Sequence, residues 1–166
     1  FKGQLISCPF KIMKLKEKIK APNFKLPSTD KTIFELNKIK NKNIILYFYP
    51  KDDTPGCTIE SKDFSKLNKL INKNNSLVIG ISKDSINSHL KFKKKYNLKF
   101  ELLSDEKLSV IKKYGVWGKK SFLGKQYMGI VRTTFLINSK GKIYKIWNNV
   151  RVKDHAKEVF NELKNC

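Results

Sequence analysis

The segment Ile44-Ile45-Leu46-Tyr47-Phe48-Tyr49-Pro50-Lys51-Asp52-Asp53-Thr54-Pro55-Gly56-Cys57-Thr58-Ile59-Glu60 holds an apolar run, a turn and a helix start in succession. Ile44 to Tyr49 is an unbroken β-branched and aromatic run, the pattern of a strand covered on both faces. Pro50, Pro55 and Gly56 impose a turn after it. Beyond Cys57 the apolar residues Ile59, Phe64, Leu67, Leu70 and Ile71 recur at helical spacing to about Asn72. Cys57 therefore falls in the first turn of a helix, where free backbone N–H groups and the helix dipole favour an anion. A thiol in such a turn ionises more readily than free cysteine, whose pKa is about 8.5; such sites reach about 3.5–7.5. The thiolate is the nucleophilic form. The plainer alternative is a buried structural cysteine, because cysteine packs as a small hydrophobe. Its place, between a strand's carboxyl end and a helix start, is where α/β folds put their ligands, and this favours the reactive reading.

Outward from this segment the pattern alternates. Leu77 to Ser82 reads as a second buried strand, and Ser85 to Tyr96 as a helix capped by Ser82, Asp84 or Ser85. Phe100 to Leu103 reads as a short strand, and Ser104 to Tyr114 as a helix. Gly115 to Gly129, rich in glycine, reads as a loop; Ile130 to Ile137 and Lys142 to Asn148 read as strands joined by a turn at Asn138 to Gly141. Lys153 to Leu163 reads as the closing helix. Upstream, Ala21 to Pro27 reads as an extended strand broken by prolines, and Thr32 to Leu36 as strand or short helix. Residues 1–20 carry Cys8 and the basic run Lys11 to Lys20, whose spacing fits a short amphipathic helix or a strand. They are read as a basic N-terminal extension outside a domain spanning residues 21–166. The order of elements predicts the α/β class, a mixed central sheet flanked by helices.

At 166 residues with 40% hydrophobic composition, the chain is long enough for one full core. Three scattered cysteines (Cys8, Cys57 and Cys166) make no disulfide framework and no zinc spacing, which points to a reducing, intracellular setting. No metal and no cofactor are expected. No run approaches the roughly 18 apolar residues of a membrane span, so no membrane partner is expected. The chain opens on Phe1, so upstream residues are expected and no targeting segment is read from this end. The net charge of +22 would attract polyanions. Yet nearly all of it is lysine, with Arg132 and Arg151 the only arginines, whereas base-edge readers favour arginine. The lysines are read mainly as solvated faces, with nucleic acid kept as an alternative partner. His89 and His155 lack a partner at metal spacing and are read as structural or surface residues.

The spacing Pro50-x-x-x-Thr54-x-x-Cys57 resembles the active-site signature of the peroxiredoxins. With Tyr47 to Glu60 around it, the segment is similar to the Q-type, or bacterioferritin comigratory protein, branch. Lys113 to Gly118, Gly129 to Ile137 and His155-Ala156 continue the likeness, which covers about Lys20 to Leu163. The resemblance implies a thioredoxin-like fold. It further implies that Cys57 attacks a peroxide oxygen and becomes a sulfenic acid, and that the Thr54 hydroxyl contacts thiolate and peroxide. Pro50 would screen the site from water. Arg132 would stabilise the thiolate and the leaving oxygen, with Glu60 orienting Arg132.

Many Q-type members carry a resolving cysteine five residues after the first, where this chain has Lys62. The resemblance thus implies a thiol-dependent peroxidase for hydrogen peroxide and organic hydroperoxides, re-reduced by thioredoxin, glutaredoxin or glutathione. Resolution by Cys8 or Cys166, within the chain or across a dimer, is the alternative. A monomer or weak dimer is expected. The competing functions are a lysine-rich nucleic-acid-associated protein and a redox sensor that passes oxidation to a partner. Lys91-Phe92-Lys93-Lys94-Lys95 slightly favours a nuclear address, with cytosol or a plastid-like organelle as alternatives.

Overall fold

A computed structural model describes residues 15–166; Cys8 and the basic residues Lys11 to Lys14 lie outside that range. Its centre is a five-stranded sheet of β3 (Asn43–Phe48), β4 (Ser76–Ser82), β5 (Glu101–Ser104), β8 (Thr133–Ile137) and β9 (Ile143–Trp147). The strand order is β5-β4-β3-β8-β9. β3 runs parallel to β4 and β4 to β5, while β3 with β8 and β8 with β9 are antiparallel.

The apolar run of β3 divides by the strand's period of two. Ile44, Leu46 and Phe48 point into one core cluster, and Ile45, Tyr47 and Tyr49 into the other. Both faces are therefore covered. The first is packed by the short helix α3 (Ser109–Lys113) and by residues of the N-terminal hairpin, β1 (Lys25–Pro27) with β2 (Ile33–Glu35). The second is packed by α1 (Pro55–Lys73), α2 (Ile86–Tyr96) and α4 (His155–Leu163). This is the mixed, helix-flanked α/β sheet that the element order predicts.

Three local expectations are corrected. Gly115 to Gly129 is not a loop: β6 (Trp117–Phe122) and β7 (Lys125–Ile130) form a separate antiparallel hairpin. Its lysines and glycines hide the alternation, and Leu123 and Gly124, both at positive φ, close the turn. The strand expected from Ile130 to Ile137 is broken, so Arg132 stands in the two-residue link between β7 and β8 rather than inside a strand. The helix expected from Ser104 shrinks to α3 because Leu108 adopts a left-handed conformation at its N-cap. Upstream, Leu15 to Lys20 is turn and bridge, not helix. There the Lys18 N–H bonds the Ile143 carbonyl at 2.7 Å and Ile143 N–H bonds Ile19 at 2.8 Å. These bonds tie Lys18 and Ile19 to the first residue of β9.

Candidate active site

The turn after β3 delivers Cys57 to its place. Thr54 is the N-cap of α1, with extended backbone (φ −91°, ψ 156°), Pro55 follows at the first helical position, and Cys57 comes two residues later. Proline suits that position because the missing N–H would have had no intrahelical partner. The Cys57 side chain is 1% exposed and packs beside Tyr47, Tyr49 and Phe64. Hydrocarbon is not its whole environment, however. Arg132 Nη2 donates to Cys57 Sγ at 3.3 Å, and Arg132 Nη1 donates to Glu60 Oε1 at 2.8 Å.

One guanidinium therefore bridges a sulfur and a carboxylate that sit one helical turn apart on α1. Gly56 makes room for it: a Cβ on that residue would lie 3.2 Å from Arg132 Nη2. Glu60 and Cys57, with burial opposing them, hold the Arg132 guanidinium above its ordinary value. Burial pushes the Glu60 carboxyl up to about 7, although Arg132 pulls the other way. The reason is visible at its second oxygen, which is buried and has no hydrogen-bond partner among the described residues. An ionised carboxylate needs acceptance at both oxygens to offset its lost hydration.

His155 Nε2 stands 4.0 Å from that oxygen and shares a 2.8 Å hydrogen bond with Thr134 Oγ1. Burial holds His155 down to about 4, so the ring stays neutral and offers Glu60 no countercharge at neutral pH. Lys120 also reaches this neighbourhood, donating to the Ile130 carbonyl at 2.9 Å. Burial and then the Arg132 charge hold its ammonium below the usual lysine value.

The five residues singled out in the sequence fare differently. Cys57, Glu60 and Arg132 are brought together. Pro50 is half-buried at the start of the loop. Thr54 makes no hydrogen bond to the sulfur; its hydroxyl donates to the Lys51 carbonyl at 2.9 Å. That bond closes the turn and leaves the oxygen lone pairs as acceptors.

Sequence reasoning missed what pins the loop. Asp52 accepts from Tyr49 Oη at 2.6 Å, from Ser88 Oγ at 2.8 Å and faces His89 Nδ1 at 2.7 Å. Its backbone N–H donates to Asp84 at 2.9 Å, and Ser82 donates to the same Asp84 oxygen at 2.6 Å. His89, read from sequence as a structural or surface residue without a partner at metal spacing, is structural: it is fully buried against an acid 37 residues away. Only the packing of α2 on the loop reveals this pair. Ligand atoms of Asp52, Asp84 and His89 lie within 4.8 Å of one another. Each is already engaged, His89 Nε2 by the Leu103 carbonyl at 2.9 Å, so the cluster is a clasp.

A thiol at a helix head, backed by a guanidinium on a mixed α/β sheet, is an arrangement suited to cysteine chemistry on a fold of the thioredoxin-like class. Residues 18–146 match the AhpC/TSA family. A peroxiredoxin bcp of Coxiella burnetii is 49% identical over 144 residues, covering 87% of this chain and 95% of that protein. Peroxiredoxin Bcp of Bacillus subtilis is 44% identical over 145 residues, covering 87% and 92%. The crystal structure of a Xylella fastidiosa PrxQ mutant superimposes with a TM-score of 0.86 at 34% identity, over 91% of this chain and 96% of that one. The chain belongs to the peroxiredoxins, in their Q-type branch.

These relatives are bacterial and lend no support to the nuclear address expected from Lys91 to Lys95. In that run Lys93 pairs with Glu101 and Lys95 with Asp53, each at 2.7 Å. The nucleic-acid alternative is not favoured either. Among the described residues, no helix is long and apolar enough to cross a membrane.

Proposed function

We propose that this chain is a thiol-dependent peroxidase acting on hydrogen peroxide and organic hydroperoxides through Cys57. The observation that carries the reading is the 3.3 Å contact of Arg132 Nη2 with Cys57 Sγ in the first turn of α1. The thiolate sulfur attacks the distal peroxide oxygen and the O–O bond breaks. Sulfur gains that oxygen together with its hydrogen as sulfenic acid, and the leaving oxygen takes a proton from solvent to become water or alcohol. Arg132 offsets the negative charge that moves from sulfur to the departing oxygen. Thr54, with lone pairs free, accepts a hydrogen bond from the peroxide O–H and so aims it at the sulfur, while Pro50 keeps water from the sulfur. Glu60 fixes the guanidinium.

Two electrons then return from external thiols. The first thiol condenses with the sulfenic acid, releasing water and leaving a mixed disulfide; the second displaces Cys57 as free thiol. An external reductant is favoured over Cys166 by geometry. The Cys166 sulfur lies 3.7 Å from Asn43 Oδ1, at the amino end of β3, whereas Cys57 follows the carboxyl end. The strand's six residues span about 17–20 Å, and a disulfide needs Cα atoms within about 7 Å. Burial and the nearby Glu162 also push the Cys166 thiol up, which disfavours its nucleophilic form. Position 62, in α1, is a lysine.

Stopped-flow oxidation with hydrogen peroxide, followed by mass analysis, tests this. Sulfenic acid at Cys57, cleared by added thioredoxin or glutathione, is the expected result. A protein that consumes peroxide without modification of Cys57 overturns the assignment, and a Cys57–Cys166 bridge overturns the external reductant.

A further inference from the structure

The β6–β7 hairpin stands apart from the rest of the molecule in composition. Among the described residues its strands pair only with each other, yet it carries Phe122 at 66% exposure, Leu123 at 86%, and the half-exposed Tyr127 and Met128. Such clustering of large apolar side chains on a projecting element marks a contact site.

The turn sharpens the point. Leu123 and Gly124 have φ of 50° and 79°, a two-residue turn with both positions left-handed, where Asn-Gly is the favoured pair. Leucine there is unfavourable for the backbone and for hydration alike. A Cβ built on Gly124 would meet nothing within 4 Å, so the tip faces open space. Across the ladder, Phe122 pairs with Lys125 and Met128 with Lys119, which sets one exposed lysine beside the apolar tip on one face and another behind it on the other. From Glu106 to Asp154 the intervening chain has no acidic side chain, and the whole chain carries +22.

We propose that this hairpin docks on a bilayer surface rich in anionic phospholipid. Phe122 and Leu123 enter the interface, and Lys119 and Lys125 meet the headgroups. Charge complementarity selects the occupant: apolar tips backed by lysines match the acyl boundary and the anionic headgroups together. A nucleic-acid surface would satisfy the lysines but leave Leu123 in water. The lack of a spanning helix among the described residues does not bear on a peripheral contact of this kind. β7 ends at Ile130, two residues before Arg132, so docking would hold the candidate site about 20 Å above the lipid, the length of a six-residue strand. Docking stands independently of the chemistry at Cys57.

Flotation with vesicles of phosphatidylserine and phosphatidylcholine at physiological ionic strength tests this, using the full chain and a double variant, Phe122→Ser with Leu123→Asn. Asparagine suits the left-handed turn position, so the hairpin should persist, and unchanged peroxide consumption and circular dichroism would verify folding. Wild type should float with the mixed vesicles and not with phosphatidylcholine alone, and the double variant should bind at least about tenfold more weakly. Four results overturn the proposal. Two are no flotation of wild type and equal flotation of the variant. A third, wild-type self-association without lipid that the variant abolishes, would assign the tip to a second copy of the chain. The fourth, duplex DNA retention lost in the same variant, would assign it to nucleic acid instead.

Discussion

Two charged clusters grip the loop between β3 and α1, and only one of them is fully satisfied. On one side Asp52 is held by Tyr49, Ser88 and His89, and its backbone by Asp84. On the other, Arg132 spans Cys57 and Glu60, but Glu60 keeps one buried oxygen without a partner among the described residues. A closed network of buried hydrogen bonds rigidifies its surroundings. An open one holds an unpaired buried acceptor, which is costly, and a preorganised cation is useful where charge moves during reaction. The first cluster is framework, and the second is where the proposed chemistry would act. Substitutions in the two should separate stability from rate.

The largest effect is expected at the sulfur. Cys57→Ser should lower peroxide consumption, followed with a peroxide electrode, to the rate of buffer alone. A residual catalytic rate would place the nucleophile elsewhere. Next comes Arg132→Met, which should slow Cys57 oxidation by about 10²–10³-fold, the cost of removing one preorganised donor. Asp52→Asn, in the satisfied cluster, should alter the same rate constant by less than about threefold. Equal losses in both variants would erase the division drawn between the clusters.

The converse holds for stability. Asp52→Ala leaves Tyr49, Ser88 and His89 without their buried partner, a change that costs about 1–3 kcal/mol for each group left unsatisfied. At this chain length that lowers Tm by roughly 10 °C, readable by calorimetry. Arg132→Met should move Tm by less, because the guanidinium is partly solvated at 16% exposure. A reversed ranking would make Arg132 the structural keystone.

The sequence shows these features unequally, for physical reasons. β3 and α1 are legible because their apolar periodicity and the Pro-Gly punctuation act over a few residues. Cys57 and Glu60 share a helix, so their proximity follows from spacing alone. Arg132 enters the site from 75 residues away, and only the resemblance placed it there. The Asp52–His89 clasp left no trace, since a single aspartate and a single histidine in separate elements have no local signature. The β6–β7 hairpin was hidden differently: lysines and glycines at strand positions weaken the period-two pattern, and leucine replaces the usual turn residue. Thr54 shows a third limit. Its identity was readable, but which acceptor its hydroxyl meets depends on one turn's backbone.

The last effect belongs to Glu60, and its sign distinguishes a strained carboxylate from a comfortable ion pair. Burial raises Glu60 from 4.5 to about 7 in the folded chain, so the native state binds its proton more tightly than the unfolded state does. The resulting stabilisation is fully present below about 4.5 and is lost as pH rises through about 7. At about 1.4 kcal/mol per pH unit, the loss across that window is at most roughly 3 kcal/mol. His155, lowered from 6.5 to about 4, works oppositely: its contribution is present above 6.5 and lost as pH falls through 4. Wild type alone would therefore show a flattened profile. Subtracting Glu60→Gln, which cannot ionise but still accepts from Arg132, removes the common His155 part. Urea titrations at pH 5 and pH 8 should show wild type losing stability relative to the variant as pH rises. If wild type instead gains on the variant, Arg132 outweighs burial and Glu60 is a comfortable ion pair.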